Sequence, residues 1–290
     1  MIPVKEAHSK FVEHLRGKSR STYTVLAYGK DIEQLVDFLS NLKKSHVREI
    51  QAKDLKAFIT KLEKESYTPK SISRKINSTK TFFRFLKINE YITDDPATLL
   101  EHPKLVNKPP RILSKLEYRA LRDAARNDTR ISAIIELLLQ TGIRIGELAN
   151  LRTQDIKFSQ GPKTGELYIQ PYQSQPERTV PLNKAAETSL KKYLDIRSET
   201  KEERVFVTKT GRPLLIRNIR TSIARYFRIA GIKSAKVNDL RHTFVAHHLM
   251  SGTSLVVVSK LAGHKRVATT EKYLEFIKNQ MSQPVKLDEL

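Results

Sequence analysis

Four residues stand in local settings where chemistry is possible. Arg144 lies in Thr141-Gly142-Ile143-Arg144-Ile145-Gly146-Glu147-Leu148, an arginine bracketed by glycines at a helix junction, where backbone can approach a ligand closely. Arg241 opens Arg241-His242-Thr243-Phe244, just inside an amphipathic segment. His264 sits in Leu261-Ala262-Gly263-His264-Lys265, again at a junction, and Tyr273 follows nine residues later in Thr269-Thr270-Glu271-Lys272-Tyr273. Each has a plain structural explanation as well: arginines close helices, a histidine after glycine caps, and most tyrosines pack. His242, His247 and His248, which share one segment, read as helix-surface and packing residues rather than ligands.

Other chemistries are excluded or left without a signature. The chain has no cysteine, which removes disulfides, thiolate zinc sites and a cysteine nucleophile together. It contains no G-x-x-x-x-G-K-[ST], no G-x-G-x-x-G and no H-E-x-x-H, so nothing points to a nucleotide-driven motor or a zincin. No metal set is assigned, although scattered Asp and Glu can still meet in space.

Charge supplies the partner class. The 53 Lys and Arg against 31 Asp and Glu give +22, with a calculated pI near 10.0. Residues 1–110 carry 21 basic and 13 acidic side chains and the remainder 32 and 18, so both halves are cationic. A polyanion, most economically nucleic acid, is the expected partner, because each neutralised phosphate releases condensed counterions. A basic surface kept for solubility alone is the plainer alternative. No segment concentrates this charge beside a strongly apolar face, no apolar run approaches a membrane span, and no charged-then-apolar leader opens the chain. The chain is therefore expected in the cytoplasm, without a membrane partner.

The elements that must hold these residues follow from periodicity. Val4, Ala7, Phe11, Val12 and Leu15 recur at helical spacing, and Ser21 or Thr22 caps a second helix with a stripe of Leu26, Ile32, Leu35, Val36 and Leu39. A third helix is expected over 54–65. A fourth begins near Pro69 with Ile72, Ile76, Phe83 and Leu86 on one side and Lys70, Arg74, Lys80 and Arg84 on the other. Pro96, Pro103, Pro109 and Pro110 then break the pattern into an extended strap carrying Lys104 and Lys108. The expected boundaries are a helical domain over 1–100, a linker over 101–114, a second domain over 115–278 and a tail over 279–290. In the second domain helices over 115–126 and 131–140 lead to Gly142. Ile156 and Phe158, Leu167 and Ile169, and Val180 and Leu182 alternate at period two as a three-stranded antiparallel meander. Helices return near 184–196, 217–230, 239–250, 254–262 and 267–278. The fold class is mainly α with one small sheet.

Taken together, T-G-x-R-x-G-E-L at 141–148, L-R-H-x-F at 240–244, L-x-G-H at 261–264 and T-T-x-x-Y at 269–273 resemble the tyrosine recombinase, or phage integrase, family, and within it the compact Xer-like and element-encoded members. The resemblance covers nearly the whole chain. It implies a two-domain clamp on double-stranded DNA and a site-specific strand transferase needing no ATP. Tyr273 attacks a phosphodiester to give a 3′-phosphotyrosyl link and a free 5′-hydroxyl, Arg144 and Arg241 hold the nonbridging oxygens, and His264 adds a hydrogen bond. It further implies a homotetramer on paired, inverted-repeat-like sites, the tail over 279–290 linking subunits, and DNA contacts from Lys70, Arg74, Lys80, Arg84, Lys104, Lys108, Arg217 and Arg220.

Two positions depart from the family pattern. Asn238 stands where a histidine is usual, and asparagine cannot act as a base. Gln173 falls at the position of the usual lysine acid in the turn between the second and third strands; Lys163, in the preceding turn, is the expected substitute. These departures leave room for a DNA-binding accessory protein with weak or lost cleavage. A type IB topoisomerase-like enzyme shares the tyrosine logic, and an RNA-binding protein fits the charge but lacks an aromatic strand pair.

Overall fold

The computed structural model describes residues 1–18, 21–105, 109–172 and 175–281, with side chains through 277. The chain divides into two compact units, Met1–Asn107 and Lys108–Leu290.

Among its described residues the first unit has four α-helices, α1 (Val4–Gly17), α2 (Thr22–Asn41), α3 (Ala52–Lys64) and α4 (Pro69–Ile88), with a 3-10 turn over Val47–Glu49. Ser21 Oγ accepts from the Thr24 N–H to start α2, and Thr68 Oγ1 does the same for Ser71 at α4, whose proline occupies the first turn. Aromatic packing centres the core, with the Phe11 and Phe82 rings edge to face at 5.2 Å. The expected stripe on α2 is displaced at one point: Leu26 is 57% exposed, and Val25 is the buried residue. Positions 25, 32, 36 and 39 share a face, and Leu26 lies a further 100° round the helix. Ala97 and Leu100 close this core from the chain after α4, with the Ala97 N–H on Asp95 Oδ1. Residues 95–100 are thus part of the first unit's packing rather than a free strap.

One buried carboxylate knits the unit together. Asp31, 2% exposed, accepts from Lys75 Nζ at 2.9 Å, from Ser78 Oγ at 3.1 Å and from the Arg74 guanidinium. Lys75 is itself buried, a role that helical periodicity does not suggest for lysine.

The second unit is built around α6 (Thr129–Thr141), whose isoleucines and leucines are buried on nearly every side. It follows α5 (Lys115–Ala125) and precedes α7 (Ile145–Asn150). The sheet has order β1-β2-β3 and is antiparallel: β1 (Ile156–Lys157), β2 (Gly165–Ile169) and β3 (Arg178–Leu182), with Leu167 opposite Val180 and Ile169 opposite Arg178. Leu167, Ile169, Val180 and Leu182 point into the core, as the alternation requires. Helices α8 (Lys184–Asp195), α9 (Ile216–Ile229), α10 (Val237–Met250), α11 (Leu255–Ala262) and α12 (Ala268–Met281) complete it. Helix α12 continues three residues past the expected end at 278. Lys108, Gln173 and residues 282–290 of the expected tail lie outside the described residues.

Candidate active site

Two left-handed glycines create the site by ending helices where side chains must converge. Gly142 stops α6 at φ +60°, and a Cβ there would stand 2.2 Å from the Phe244 ring. Gly263 stops α11 at φ +64°, where a Cβ would meet the Arg178 guanidinium within 2.8 Å. Both close approaches explain why only glycine fits. The helix ends leave carbonyls without intrahelical partners, and these carbonyls are what the arginines bind.

Arg241, in the first turns of α10, donates to the carbonyls of Gly142 and Ala262. Arg144, the residue before α7, donates to the Gly263 carbonyl at 2.6 Å and to Glu147 Oε1 at 3.0 Å. Glu147 is fully buried and also receives both terminal nitrogens of Arg178, at 3.0 and 2.8 Å, while Arg178 Nε donates to the Leu261 carbonyl. One carboxylate therefore bonds two guanidinium groups, and its charge also reaches the Arg241 guanidinium. Burial pushes the Glu147 carboxyl up, but its bonds from Arg178 and Arg144 outweigh that and hold it below the usual carboxylate range. Arg241 feels the opposite imbalance: burial, reinforced by the neighbouring Arg144 charge, brings it down to about 9.

Tyr273, on α12, is 6% exposed, and its ring stands between two histidines. The His264 ring stacks with it at 6.3 Å between centroids, and His242 Nδ1 lies 2.5 Å from its hydroxyl oxygen. Burial pushes the phenol above its ordinary value, against a smaller downward pull from Arg241. His264 Nδ1 is 2.7 Å from Thr270 Oγ1; burial, then the charges of Arg241 and Arg144, lower its pKa to about 4. Asn238 is exposed, one turn before His242, with its amide nitrogen 2.7 Å from His242 Nε2.

Residues 111–280 match the phage integrase family, and residues 9–90 match the phage integrase N-terminal SAM-like domain. The chain belongs to the phage integrase family. It is 32% identical to tyrosine recombinase XerC of Oceanobacillus iheyensis, over 94% of this chain and 92% of the relative. Its structure is similar to that of XerA recombinase, with a TM-score of 0.55 at 26% identity over 98% of this chain and 100% of the other. The fold also matches that of a lambda integrase tetramer bound to a Holliday junction, with a TM-score of 0.76 at 17% identity over 100% and 80% of the two chains. As a phage integrase family member, the protein is a tyrosine-type site-specific DNA recombinase.

The recombinase fold gathers Arg144, Arg241, His264 and Tyr273 from α7, α10, the end of α11 and α12. Asn238 joins them through His242. Lys163 does not: it is exposed in the turn between β1 and β2, paired through its main chain with Gln160. Arg178, whose side chain enters the site, faces Ile169 at the far end of β2, about 13 Å of strand beyond Gly165. Lys163 therefore lies beyond the end of β2 opposite to Arg178. The segment between β2 and β3 contains no lysine between Gln170 and Glu177. Tyr172 in that turn packs on Gly146, where a Cβ would come within 2.7 Å of its ring.

Of the expected DNA contacts, Lys70, Arg84, Lys104, Arg217 and Arg220 are exposed and Lys80 is half-buried. Arg74 is exposed but committed to Asp31. Arg220 lines a cavity of about 350 Å³ with Lys236, Asn238 and Arg241. Sequence reasoning missed Glu147 and Arg178 as partners and read His242 as a packing residue. The available signal for His242 was its i, i+4 spacing from Asn238, which puts both on one helix face. Among the described residues, no helix is long and apolar enough to cross a membrane.

Proposed function

We propose that Tyr273 is the nucleophile of strand cleavage, forming a 3′-phosphotyrosyl link, and that Arg144, Arg241 and His264 bind the scissile phosphate. The observation that carries this is the excess of cation beside the buried phenol: Arg144 and Arg178 share the one carboxylate of Glu147, and Arg241 beside them has no carboxylate bonded to it among the described residues. A phosphate entering there relieves their repulsion, and the bipyramidal transition state, with more charge on its nonbridging oxygens, relieves it further. His264 is neutral at pH 7. With Thr270 donating to Nδ1, the ring proton sits on Nε2 and is free to donate to a phosphate oxygen.

Double-stranded DNA is the partner. Lys70, Lys80 and Arg84 on α4, Lys104, Lys108, and Arg217 and Arg220 on α9 contact its phosphates or base edges, while Arg74 is paired with Asp31. The finer reading is a homotetramer joining two inverted-repeat-like sites on DNA in the cytoplasm. The tetrameric lambda integrase on a Holliday junction supports that stoichiometry by likeness of fold.

Covalent capture on a randomised duplex pool carrying nicks tests the assignment, since a nick lets the short product diffuse away and traps the adduct. Wild type is expected to give a denaturant-stable protein–DNA adduct on an enriched, palindrome-like sequence, and Tyr273→Phe none at equal DNA binding. An adduct that survives Tyr273→Phe overturns the nucleophile assignment. Sedimentation of the protein on the enriched duplex then counts subunits per paired site.

A further inference from the structure

We propose that His242 is the proton acceptor for Tyr273 and that Asn238 is the positioning residue that sets its tautomer, so that the acid–base function missing at position 238 is carried one helical turn further along α10. The inference rests on Tyr273 being the nucleophile.

Three observations carry it. His242 Nδ1 is 2.5 Å from the Tyr273 hydroxyl, closer than any other hydrogen-bonding group described for that oxygen. The contact joins α10 to α12, across 31 residues, so it is made by the packing of the two helices and not by local geometry. The second ring nitrogen is also engaged, 2.7 Å from the Asn238 amide. A primary amide can turn either end to a ring nitrogen. With Asn238 Oδ1 presented, Nε2–H donates to it, Nδ1 carries the free lone pair, and the phenol proton points at that lone pair. This is the arrangement in which a neutral group that is not itself a base makes its neighbour one.

The groups facing the imidazole decide its charge. On its own helix these are Asp239, Arg241 and Asn238; from α12, Tyr273; and from the end of α11, His264. Burial lowers the His242 pKa, Asp239 opposes this and Arg241 adds to it, so the ring is neutral at pH 7 and able to accept.

As the bond from Tyr273 Oη to phosphorus forms, the hydroxyl proton passes to His242 Nδ1. The bond from phosphorus to the 5′ oxygen breaks with its electron pair on that oxygen, which takes a proton from water. On rejoining, the 5′-hydroxyl attacks phosphorus and gives its proton to water, while Oη leaves and recovers its proton from Nδ1.

The test measures the rate of covalent adduct formation against pH on the nicked duplex enriched from the randomised pool. Wild type is expected to lose rate as pH falls through the lowered His242 pKa and to level off towards neutrality. His242→Gln is expected to be slower by about 100-fold or more at pH 7 and to rise in proportion to hydroxide without levelling. Added imidazole is expected to accelerate His242→Ala and not Tyr273→Phe. Asn238 is exposed, so Asn238→Asp leaves packing untouched; a carboxylate on Nε2 moves the acid limb to higher pH. A wild-type profile in His242→Gln, or an acid limb unmoved by Asn238→Asp, overturns the proposal while leaving Tyr273 as nucleophile. Absence of any wild-type adduct instead removes the nucleophile assignment, and this inference with it.

Discussion

Replacing Glu147 by glutamine changes one oxygen to NH2 at a point where four donors converge. In the wild type the carboxylate accepts from two nitrogens of Arg178, from Arg144 Nη1 and from the Arg144 backbone N–H. Glutamine turns a donor towards donors, so at least two charge-assisted bonds are lost, each contributing about 1.5–3 kcal/mol. Arg178, whose side chain is 10% exposed, then keeps its charge without a counterion. Breaking a buried pair from one side costs about 3–5 kcal/mol, in agreement with the bond-by-bond figure. For a unit of this size each kcal/mol moves Tm by roughly 2–4 °C, so the catalytic unit is expected to melt about 10 °C lower at pH 7. The pH dependence has a definite sign. The folded carboxyl titrates below the ordinary carboxylate range, so its contribution is complete above that range and is lost as pH falls through the lower folded value. Wild type and variant therefore converge in acid. Calorimetry of the full chain from pH 7 to pH 3.5 measures this. A difference under about 1 kcal/mol at pH 7, or one that does not shrink in acid, refutes the account of Glu147 as the shared counterion.

Gly142→Ala is expected to cost about 3 kcal/mol in thermal unfolding, since it adds left-handed strain and drives a Cβ into the Phe244 ring; a change under 1 kcal/mol refutes that packing. His264, held neutral to about pH 4, is expected to show no imidazole titration by NMR near 6.5, and its burial makes stability fall as pH drops from about 6.5 towards 4. A normal titration there contradicts the buried, cation-flanked setting. Asp31→Asn leaves the Lys75 ammonium buried and is expected to destabilise the first unit by about 3 kcal/mol in urea unfolding, while Lys75→Met costs less. Lys70→Ala and Arg84→Ala are each expected to lower the slope of log binding constant against log salt by about 1 on any duplex, and an unchanged slope removes that side chain from the interface.

Most elements were legible because their signals are local. Phe11 and Leu15 on α1, the Pro69 start of α4 and the alternation through Leu167 to Leu182 each act within a few residues, where 3.6- and 2-residue periods dictate burial. Leu26 misled for the same reason: it is apolar and only 100° off the true stripe, and the choice between it and Val25 is made by what the helix packs against. The four motif residues were legible as a set through the resemblance of their motifs, and backbone shape accounts for two of them: glycines end α6 and α11 in the left-handed region, and Arg144 and His264 follow directly after those helix ends.

By itself, the sequence determined the helical periods, the cationic surface and the order of Arg144, Arg241, His264 and Tyr273. Tertiary structure decided which groups those residues meet. The Arg144–Gly263 bond spans 119 residues, Arg241–Gly142 spans 99, and Arg178–Glu147 and His242–Tyr273 each span 31. No periodicity reports contacts at such separations, because each is made by the docking of two elements whose buried faces are set by the whole core. That docking placed Arg178 in the site and turned His242 from a helix-face residue into the partner of the buried phenol, while Lys163 stands at the end of β2 away from Arg178.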